Sequence, residues 1–348
     1  MSGAREVAAA VKSHAQPNPP PEAEGTVRGE GQKSLRIAFV AMIAFFAVAP
    51  LFIYPVFLMK VMCFALFACA FNLLIGYGGL LSFGHAMFLG GAGYVSAYLA
   101  KEGLAIPALG LALPPFTPEL AILSGTLAAG VLGVLVGLLA IRRQGIYFAM
   151  ITLALAQMVY FFCVQAPFTG GEDGIQAVPR GKLFGLIDLS TPATMYPTVF
   201  AIFVAGFLLI YRIIHSPFGQ VLKAIRENEP RAISLGYDAD RYKLLAFVLS
   251  AALAGLAGAT NALVFQLAAL NAVHWTMSGE VVLMTLVGGL GTVFGPVVGA
   301  LAVLAMENYL AQLGQWVSIV QGLIFIVCVL AFRRGIVGEV SRLIRKPL

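Results

Sequence analysis

The sequence predicts an all-α, polytopic membrane protein with about ten transmembrane helices (8–10), Gly-rich broken or re-entrant segments, and both termini in the cytoplasm. Of its 348 residues, 60% are hydrophobic and 11% are charged, whereas about 25% of the residues in soluble domains are charged. Several apolar runs of roughly 18 to 25 residues are long enough to cross a hydrocarbon core about 30 Å thick. The formal net charge of +6 comes from basic residues at span ends and in loops, where membrane topology explains them, so it does not indicate a nucleic-acid partner.

Composition divides the chain into three parts. Residues 1–34 are rich in Ala, Pro, Gly and charged residues and cannot bury enough apolar surface to fold, which predicts a disordered cytoplasmic tail. Residues 35–334 form the transmembrane domain, and residues 335–348 are expected to form a basic cytoplasmic tail. Basic residues before the first span, and Arg142 and Arg143 after the fourth, place both of these positions on the cytoplasmic side.

The expected spans follow the apolar runs in order. They lie at about residues 37–54, 56–75, 86–99, 120–141, 146–164, 196–211, 244–267, 281–287, 297–305 and 316–332. The run at 281–287 is too short to cross alone, and if it re-enters the membrane rather than crossing it, the count falls to about nine or eight. Two connections are long, an external loop at 165–194 and a cytoplasmic loop at 212–243.

Small residues one helical turn apart mark expected contacts between helices. They form two ridges, one of Ala129, Gly133 and Gly137 and one of Ala251, Gly255 and Ala259. Ridges of this kind let helix backbones approach closely in lipid. They are general to membrane helices and do not by themselves indicate a function.

The loop at 212–243 is unusually polar for this chain and carries the pattern of folded structure. Ser216 followed by Pro217 is typical of a helix start, and Gly236 is a suitable residue to end a second helix. Apolar side chains recur at helical spacing after Pro217, which predicts a short amphipathic helix and a docking surface for another protein. The alternative is that any large cytoplasmic loop is basic. The residues assigned to this surface are Ser216, Phe218, Val221, Leu222, Ile225, Arg226, Glu227, Glu229 and Gly236.

Two Gly-rich breaks interrupt the apolar spans. The first, residues 76–85, joins two spans without a formally charged residue, and the second covers residues 288–296. Unwound backbone at membrane depth is tolerated only where it is buried in protein or lines a water-filled cavity, and paired breaks point to a translocation pathway. The candidates for lining that pathway are Asn72, Gly78, Gly79, Ser82, His85, Gln157, Gly288 and Gly289. For His85 the alternative role is to cap a helix by bonding to its backbone.

The external loop contains a glycine-dense turn with two acidic residues. Its members are Thr169, Gly170, Gly171, Glu172 and Asp173. The turn either contacts an extracytoplasmic partner or forms part of an outer gate, and an ordinary surface turn is the alternative.

No catalytic residue and no metal site are expected. The four cysteines lie in apolar segments without metal-ligand spacing. The sequence contains no G-x-x-x-x-G-K-[ST] phosphate loop and no H-E-x-x-H or G-x-S-x-G motif. This chain is therefore not expected to bind ATP through a phosphate loop or to be a hydrolase.

Four stretches in the same order resemble the LivM-type permease subunits of bacterial high-affinity branched-chain amino acid ABC importers. The first two are residues 72–99 (NLLIGYGGLLSFGHAMFLGGAGYVSAYL) and 145–175 (GIYFAMITLALAQMVYFFCVQAPFTGGEDGI). The other two are residues 216–258 (SPFGQVLKAIRENEPRAISLGYDADRYKLLAFVLSAALAGLAG) and 278–299 (SGEVVLMTLVGGLGTVFGPVVG). The likeness extends over most of residues 35–334 and leaves out the N-terminal tail.

The resemblance implies a multi-pass subunit of the bacterial cytoplasmic (inner) membrane that forms half of a translocation pathway and is not itself an enzyme. It implies that residues 216–236 seat a coupling helix on an ABC ATPase, and that ATP and Mg²⁺ bind to that partner, with no cofactor in this chain. The implied partners are a second permease subunit in a heterodimer, two ATPase subunits, an extracytoplasmic amino-acid-binding protein and membrane lipid. Because the binding protein supplies the affinity, the pore needs no tight site, which fits the absence of buried charges able to hold an α-carboxylate or α-amine.

Two alternatives remain from the sequence. Relatives of the same fold import urea, simple sugars or amides, so an ABC permease for another small polar solute is the first alternative. The second is an ion-coupled secondary transporter. That class would be favoured by acidic residues at mid-membrane, which this sequence largely lacks.

Overall fold

The computed structural model describes residues 21–106, 111–143, 145–331 and 335–344, and its architecture is helical throughout. The α-helices in these residues are α1 (Pro21–Val48), α2 (Pro55–Asn72), α3 (His85–Lys101), α4 (Pro118–Ala140), α5 (Ile146–Gln165), α6 (Pro192–His215), α7 (Pro217–Glu227), α8 (Glu229–Ser234), α9 (Ala239–Phe265), α10 (Trp275–Gly288), α11 (Gly295–Leu310), α12 (Val317–Ala331) and α13 (Gly335–Ile344). A π-helical turn, Leu73–Tyr77, prolongs α2. The predicted all-α class is confirmed.

Short strands form three antiparallel pairs in the described part of the connections. They are β1 (Leu104–Ile106) with β2 (Leu111–Leu113), β3 (Ile175–Gln176) with β6 (Leu267–Ala268), and β4 (Lys182–Leu183) with β5 (Ile187–Asp188). The pairing of β3 with β6 matters for the site because it fastens the external loop to the end of α9.

Among the described residues, five helices are long and apolar enough to cross a membrane. They are Pro55–Tyr77, Pro118–Ala140, Ile146–Gln165, Pro192–His215 and Ala239–Phe265. Shorter apolar helices cover Leu35–Leu51 and Gly295–Leu310, and α3, α10 and α12 complete the set of predicted apolar segments. A polytopic arrangement is thus confirmed, whereas the number of complete crossings and the cytoplasmic position of the termini stay predictions.

Both predicted tails contain helix where the structure describes them. Residues 21–34, predicted to be disordered, belong to α1, because a helix that has formed in the apolar part extends outward at little cost per residue. Residues 335–344 form α13, in which Val337 is buried and Ile336 packs against the core, and the cytoplasmic position of this tail stays a prediction. Residues 1–20 and 345–348 lie outside the described residues.

The centre of the bundle consists of α2 and α9. The apolar window of the α2 span is 89% buried and that of α9 is 72% buried, against 28–33% for α4, α5 and α6. The outer helices therefore carry the apolar surface that faces lipid or a partner subunit.

Glycines allow α9 to contact its neighbours backbone to backbone. A Cβ on Gly258 would collide with the Leu89 carbonyl of α3, and one on Gly255 would collide with Ala129 of α4. A Cβ on Gly133 would likewise overlap with Ala251. The two small-residue ridges face each other where α4 and α9 meet. The prediction that these ridges mark contacts between helices is therefore confirmed.

Gly258→Ala is expected to lower stability, because the added Cβ has only rigid backbone to displace. Overpacking of this kind costs about 1–3 kcal/mol, although alanine alone would favour a helix by about 1 kcal/mol. The matched control is Gly91→Ala in α3, where a Cβ meets open space and stability should rise slightly. Thermal unfolding of the two variants in detergent compares them, and an unchanged midpoint for Gly258→Ala would contradict the close approach of α3 and α9.

Candidate coupling and pathway site

The polar loop folds into two short helices with a side-chain cap at each start. The Ser216 hydroxyl accepts a hydrogen bond from Gly219 N at 3.3 Å, with Pro217 at the first position of α7, as the sequence predicts. Asn228 Oδ1 accepts from Arg231 N at 3.1 Å and begins α8. Gly236, with φ of +90°, follows the end of α8 and leads into α9. The loop is therefore a folded unit with the predicted helix boundaries.

The apolar stripe of α7 packs inward. Leu222 and Ile225 are buried, and Val221 and Phe218 are partly buried. The Phe218 ring stacks on Tyr242 of α9, with ring centroids 5.6 Å apart. The amphipathic helix predicted from the spacing is confirmed, and its inner face is occupied by this chain itself.

A cationic side chain of α7 binds the first Gly-rich break. Arg226 Nη1 donates a hydrogen bond to the Gly76 carbonyl, and the Arg226 side chain lies over Gly79. Lys223 Nζ lies 5.2 Å from the centre of the Tyr77 ring. Carbonyls at the end of a helix have no intrahelical partner and carry partial negative charge, so both cations complement the end of the α2 span. Arg226 and Glu227 are both exposed, and Arg226 is the one of the two whose side chain bonds to the break.

An ion pair holds α8 against the start of α9. Lys243 Nζ lies 2.6 Å from Glu229 Oε1, and the Lys243 side chain is only 6% exposed. The sequence placed Glu229 on the docking surface but gave no sign of this pairing. The 14-residue separation between the two does not correspond to neighbouring positions on one helix.

One amide joins the two Gly-rich breaks. Asn72 Nδ2 donates to the Thr292 carbonyl at 2.9 Å, and Asn72 Oδ1 accepts from Gly291 N at 3.0 Å. A Cβ on Gly76 would collide with Asn72 Oδ1, so only glycine fits beside this bridge. The two breaks are far apart in sequence, but they meet in the structure next to Arg226 of α7.

The second break is also tightly packed in this conformation. A Cβ on Gly288 would collide with the Gly295 carbonyl, and Gly289 has a φ of +125°. Gly335, at the start of α13, lies against Gly289. Gly288 and Gly289, the two pathway candidates of this break, therefore lie against the start of α13.

A cavity of about 470 Å³ opens beside this junction. Its lining includes Gly76, Tyr77, Lys223, Arg226, Glu227 and Gly291. The formally charged side chains of this lining come from α7, and each break contributes a glycine. A movement of α7 would therefore change the shape of the cavity.

The remaining pathway candidates have separate surroundings. Gly78 packs near Leu222, and the Ser82 hydroxyl accepts from Gly84 N at 3.2 Å. Gln157 is half-buried in α5, one of the outer helices. Of these three, only Gly78 contacts α7.

His85 is fully buried at the start of α3. Its Nε2 lies 2.9 Å from the Ser250 hydroxyl of α9, and Ser250 in turn donates to the Ala70 carbonyl at 2.5 Å. Since Ser250 uses its proton on that carbonyl, His85 Nε2 is the donor to Ser250. The expectation that His85 bonds to backbone as a cap is wrong, because a hydroxyl from another helix is in reach. The aromatic rings around it are Phe71, Phe88 and Phe247.

The glycine-dense turn lies at the opposite end of the bundle. The Thr169 hydroxyl donates to the Cys163 and Ala166 carbonyls, each at 2.6 Å, and is buried. Gly170 and Gly171 have φ of +78° and +61°, which explains the glycines. Glu172 and Asp173 are exposed. Of the five predicted residues, the two acids are thus the ones whose side chains a partner can reach.

Arg180 fastens this loop to α9, a contact that the sequence did not predict. Its guanidinium donates to the carbonyls of Val264 at 2.7 Å, Ser190 at 2.9 Å and Leu263 at 3.4 Å. Burial lowers the pKa of Arg180, but a guanidinium stays charged at physiological pH. Two of the three acceptors are end carbonyls of α9, which the positive charge stabilises.

Arg180→Ala is expected to loosen the external loop. Loss of charged hydrogen bonds to three carbonyls should cost about 2 kcal/mol. Hydrogen–deuterium exchange should therefore rise roughly tenfold or more across residues 175–190 and at the end of α9. Arg143→Ala, at an exposed arginine of another loop, is the control. Equal exchange in both variants would show that Arg180 does not hold the loop.

The family model described as "Branched-chain amino acid transport system / permease component" matches residues 53–329. This chain belongs to that family. It is accordingly a multi-pass inner-membrane protein and a transport subunit of the permease type.

Individual relatives extend the comparison of this permease. It is 26% identical over 285 residues to the high-affinity branched-chain amino acid transport system permease protein LivM of Escherichia coli, covering 75% of this chain and 64% of the relative. The LivM protein of Salmonella typhimurium gives the same coverage, so the match spans less than two thirds of either relative. The ribose import permease protein RbsC of Bacillus subtilis is 26% identical over 75% of this chain and 82% of its own length. No solved structure shows a significant match.

Three charged side chains of this permease lie within its apolar helices. Lys60 of α2 and Glu307 of α11 approach to 3.5 Å between Nζ and Oε2. Glu280 of α10 is half-buried, on a helix that packs against both α2 and α11. The sequence indicated no such group, because Lys60 and Glu307 are 247 residues apart.

Proposed function

We propose that this chain is the transmembrane permease subunit of an ATP-driven ABC importer for branched-chain, hydrophobic amino acids. The observation that carries the proposal is the bond of α7 to the first Gly-rich break through Arg226, together with the Asn72 bridge that joins this break to the second. A folded helix placed in this way suits the transmission of movement from a cytoplasmic partner to the pathway. The LivM relatives supply the class of substrate.

In this proposal the ATPase subunits bind and hydrolyse ATP with Mg²⁺, and this chain holds no cofactor and performs no chemistry. The outer face of α7 seats on one ATPase, with Glu227 exposed toward it. Closure of the ATPase dimer moves α7, and the bonds to Gly76, Gly291 and Thr292 carry that movement to both breaks. The pathway then alternates between its two open states.

The other partners follow from the same proposal. A second permease subunit pairs with the apolar surface of the outer helices to form a heterodimer and complete the pathway. An extracytoplasmic amino-acid-binding protein docks on the external loop, where Glu172 and Asp173 are exposed. The loop is held in position for that contact by Arg180 and the β3–β6 pair.

A second candidate is an ABC permease for a small polar solute such as a sugar, urea or an amide. The likeness to the ribose import permease, which covers 82% of that relative, favours it over more distant classes. An ion-coupled secondary transporter is a third reading, since Glu280 and Glu307 lie in apolar helices. Such a transporter would have no use for a docked α7.

Purification of the tagged chain from its native membranes in mild detergent tests the proposal. Mass spectrometry is expected to find ATPase subunits and a second permease, and proteoliposomes of this complex should import leucine when binding protein and internal ATP are both present. Uptake of a sugar instead of leucine would favour the second candidate. A chain that purifies alone and transports on an ion gradient without ATP would overturn the ABC assignment.

A further inference from the structure

Lys60, Glu280 and Glu307 form a charged cluster where three helices meet. The helices α2, α10 and α11 pack against one another, and each contributes one member. The side chains of Lys60 and Glu307 are 35% and 25% exposed, and Glu280 is half-buried. The three side chains are therefore only partly covered by this chain.

The cluster is not a balanced structural ion pair. The three helices contribute one ammonium and two carboxylates, and the Lys60–Glu307 separation of 3.5 Å is longer than the roughly 2.7–2.9 Å of a strong charged hydrogen bond. Ionisable side chains inside transmembrane segments are costly and are retained mainly where they act on a substrate or an ion. The pair Lys243–Glu229 at the start of α9, at 2.6 Å and more buried, shows what a tight pair looks like in this chain.

The position of the cluster is remote from α7. Lys60 precedes Asn72 by 12 residues in one continuous helix, which corresponds to about 18 Å along its axis. Asn72 marks the junction of the two breaks, so the cluster lies toward the other end of the bundle. In the proposed function this is the end at which a binding protein releases its substrate.

We propose that this cluster receives the zwitterionic head of an amino acid, with Lys60 binding the α-carboxylate and Glu280 and Glu307 binding the α-ammonium. This inference rests on the proposed function and names the part of the substrate that the chain recognises. An ammonium offers three N–H donors, which two carboxylates can accept, and a carboxylate accepts from Lys60. The zwitterion adds no net charge to the membrane interior. The bound zwitterion replaces the Lys60–Glu307 contact with two contacts. Lys60 then faces the α-carboxylate, and Glu307 faces the α-ammonium.

The same chemistry discriminates between substrates. A deaminated 2-oxo acid would bring a negative charge toward two carboxylates and offer no donors in return. A neutral sugar or urea would separate Lys60 from Glu307 without supplying compensating charge. The cluster is therefore selective for molecules that carry both charges on adjacent groups. It does not contact the apolar side chain of the substrate.

The test uses the purified complex in proteoliposomes with binding protein and internal ATP. The double exchange Lys60→Glu with Glu307→Lys keeps an ion pair but reverses its direction, and Glu280→Gln removes one carboxylate without touching that pair. Each variant is expected to lower the initial rate of leucine uptake at least tenfold. Glu102→Gln, at an exposed acid beyond the end of α3, should stay within twofold of the parent complex.

The outcomes separate this inference from the proposed function. Leucine uptake within twofold of the parent in both variants would show that the cluster is structural and overturn the inference, while the importer assignment would stand. Absence of leucine uptake by the parent complex would overturn the proposed function itself. If the exchanged variant does not assemble, Glu280→Gln decides, because it leaves the Lys60–Glu307 contact in place.

Discussion

Exchanging Arg226→Glu with Glu227→Arg is expected to reduce ATP-driven uptake at least a hundredfold without preventing expression or membrane insertion. The Arg226 guanidinium donates to the Gly76 carbonyl, and a glutamate there would place negative charge against an acceptor. At position 227 the exchange changes the exposed face that the proposed ATPase contacts. Uptake and ATP hydrolysis by the reconstituted complex measure the effect.

The two single variants distinguish the contact of Arg226 with Gly76 from the proposed contact of Glu227 with the ATPase. Arg226→Glu alone should abolish uptake while ATP hydrolysis continues, because the link between α7 and the break is lost. Glu227→Arg alone should weaken binding of the ATPase, which co-purification measures. Normal uptake by the double variant would remove α7 from the coupling role.

Asn72→Leu is expected to have the second largest effect. It leaves the part-buried Gly291 N–H and Thr292 carbonyl without their partner, and an unsatisfied group costs up to about 1–3 kcal/mol when it is buried. The unfolding midpoint of the purified complex should fall. Uptake should fall more than ATP hydrolysis, since the two breaks no longer move together.

Asn261→Leu provides a matched control for that substitution. The buried Asn261 Oδ1 of α9 has no hydrogen-bond partner within the described part of the chain, so replacing it by leucine should leave stability unchanged or raise it. A similar loss of stability in both variants would mean that the shape of the side chain matters, and not the bridge between the breaks.

Local features of this chain were readable from its sequence. The start of α7 at Ser216, its buried stripe around Leu222 and the ridge at Gly255 follow from capping rules and helical spacing, which involve residues only a few positions apart. The apolar runs likewise predicted most helices. The extension of α1 to Pro21 was missed because composition does not report where a helix that has already formed will stop.

Contacts between distant segments were not readable in the same way. The Asn72 bridge, the Ser250 partner of His85 and the approach of Lys60 to Glu307 each join helices that are more than a hundred residues apart in the chain. No periodicity within one segment specifies such a partner. The contact between Lys60 and Glu307 was not expected for this reason, since each charge is isolated in its own helix.

The close contacts of α9 with α3 and α4 divide that helix into two parts of unequal length. If α9 tilts in the proposed transport cycle about its close contacts at Gly255 and Gly258, the pivot lies about 20 Å from Lys243 and about 11 Å from the Arg180 contact, at 1.5 Å per residue. The arm on the side of α7 is thus nearly twice as long as the arm on the side of the external loop. A displacement of about 2 Å at α8 would become about 1 Å at that loop. In the proposed function, such a tilt would convert a longer displacement at α7 and α8 into a shorter one at the loop that Arg180 holds.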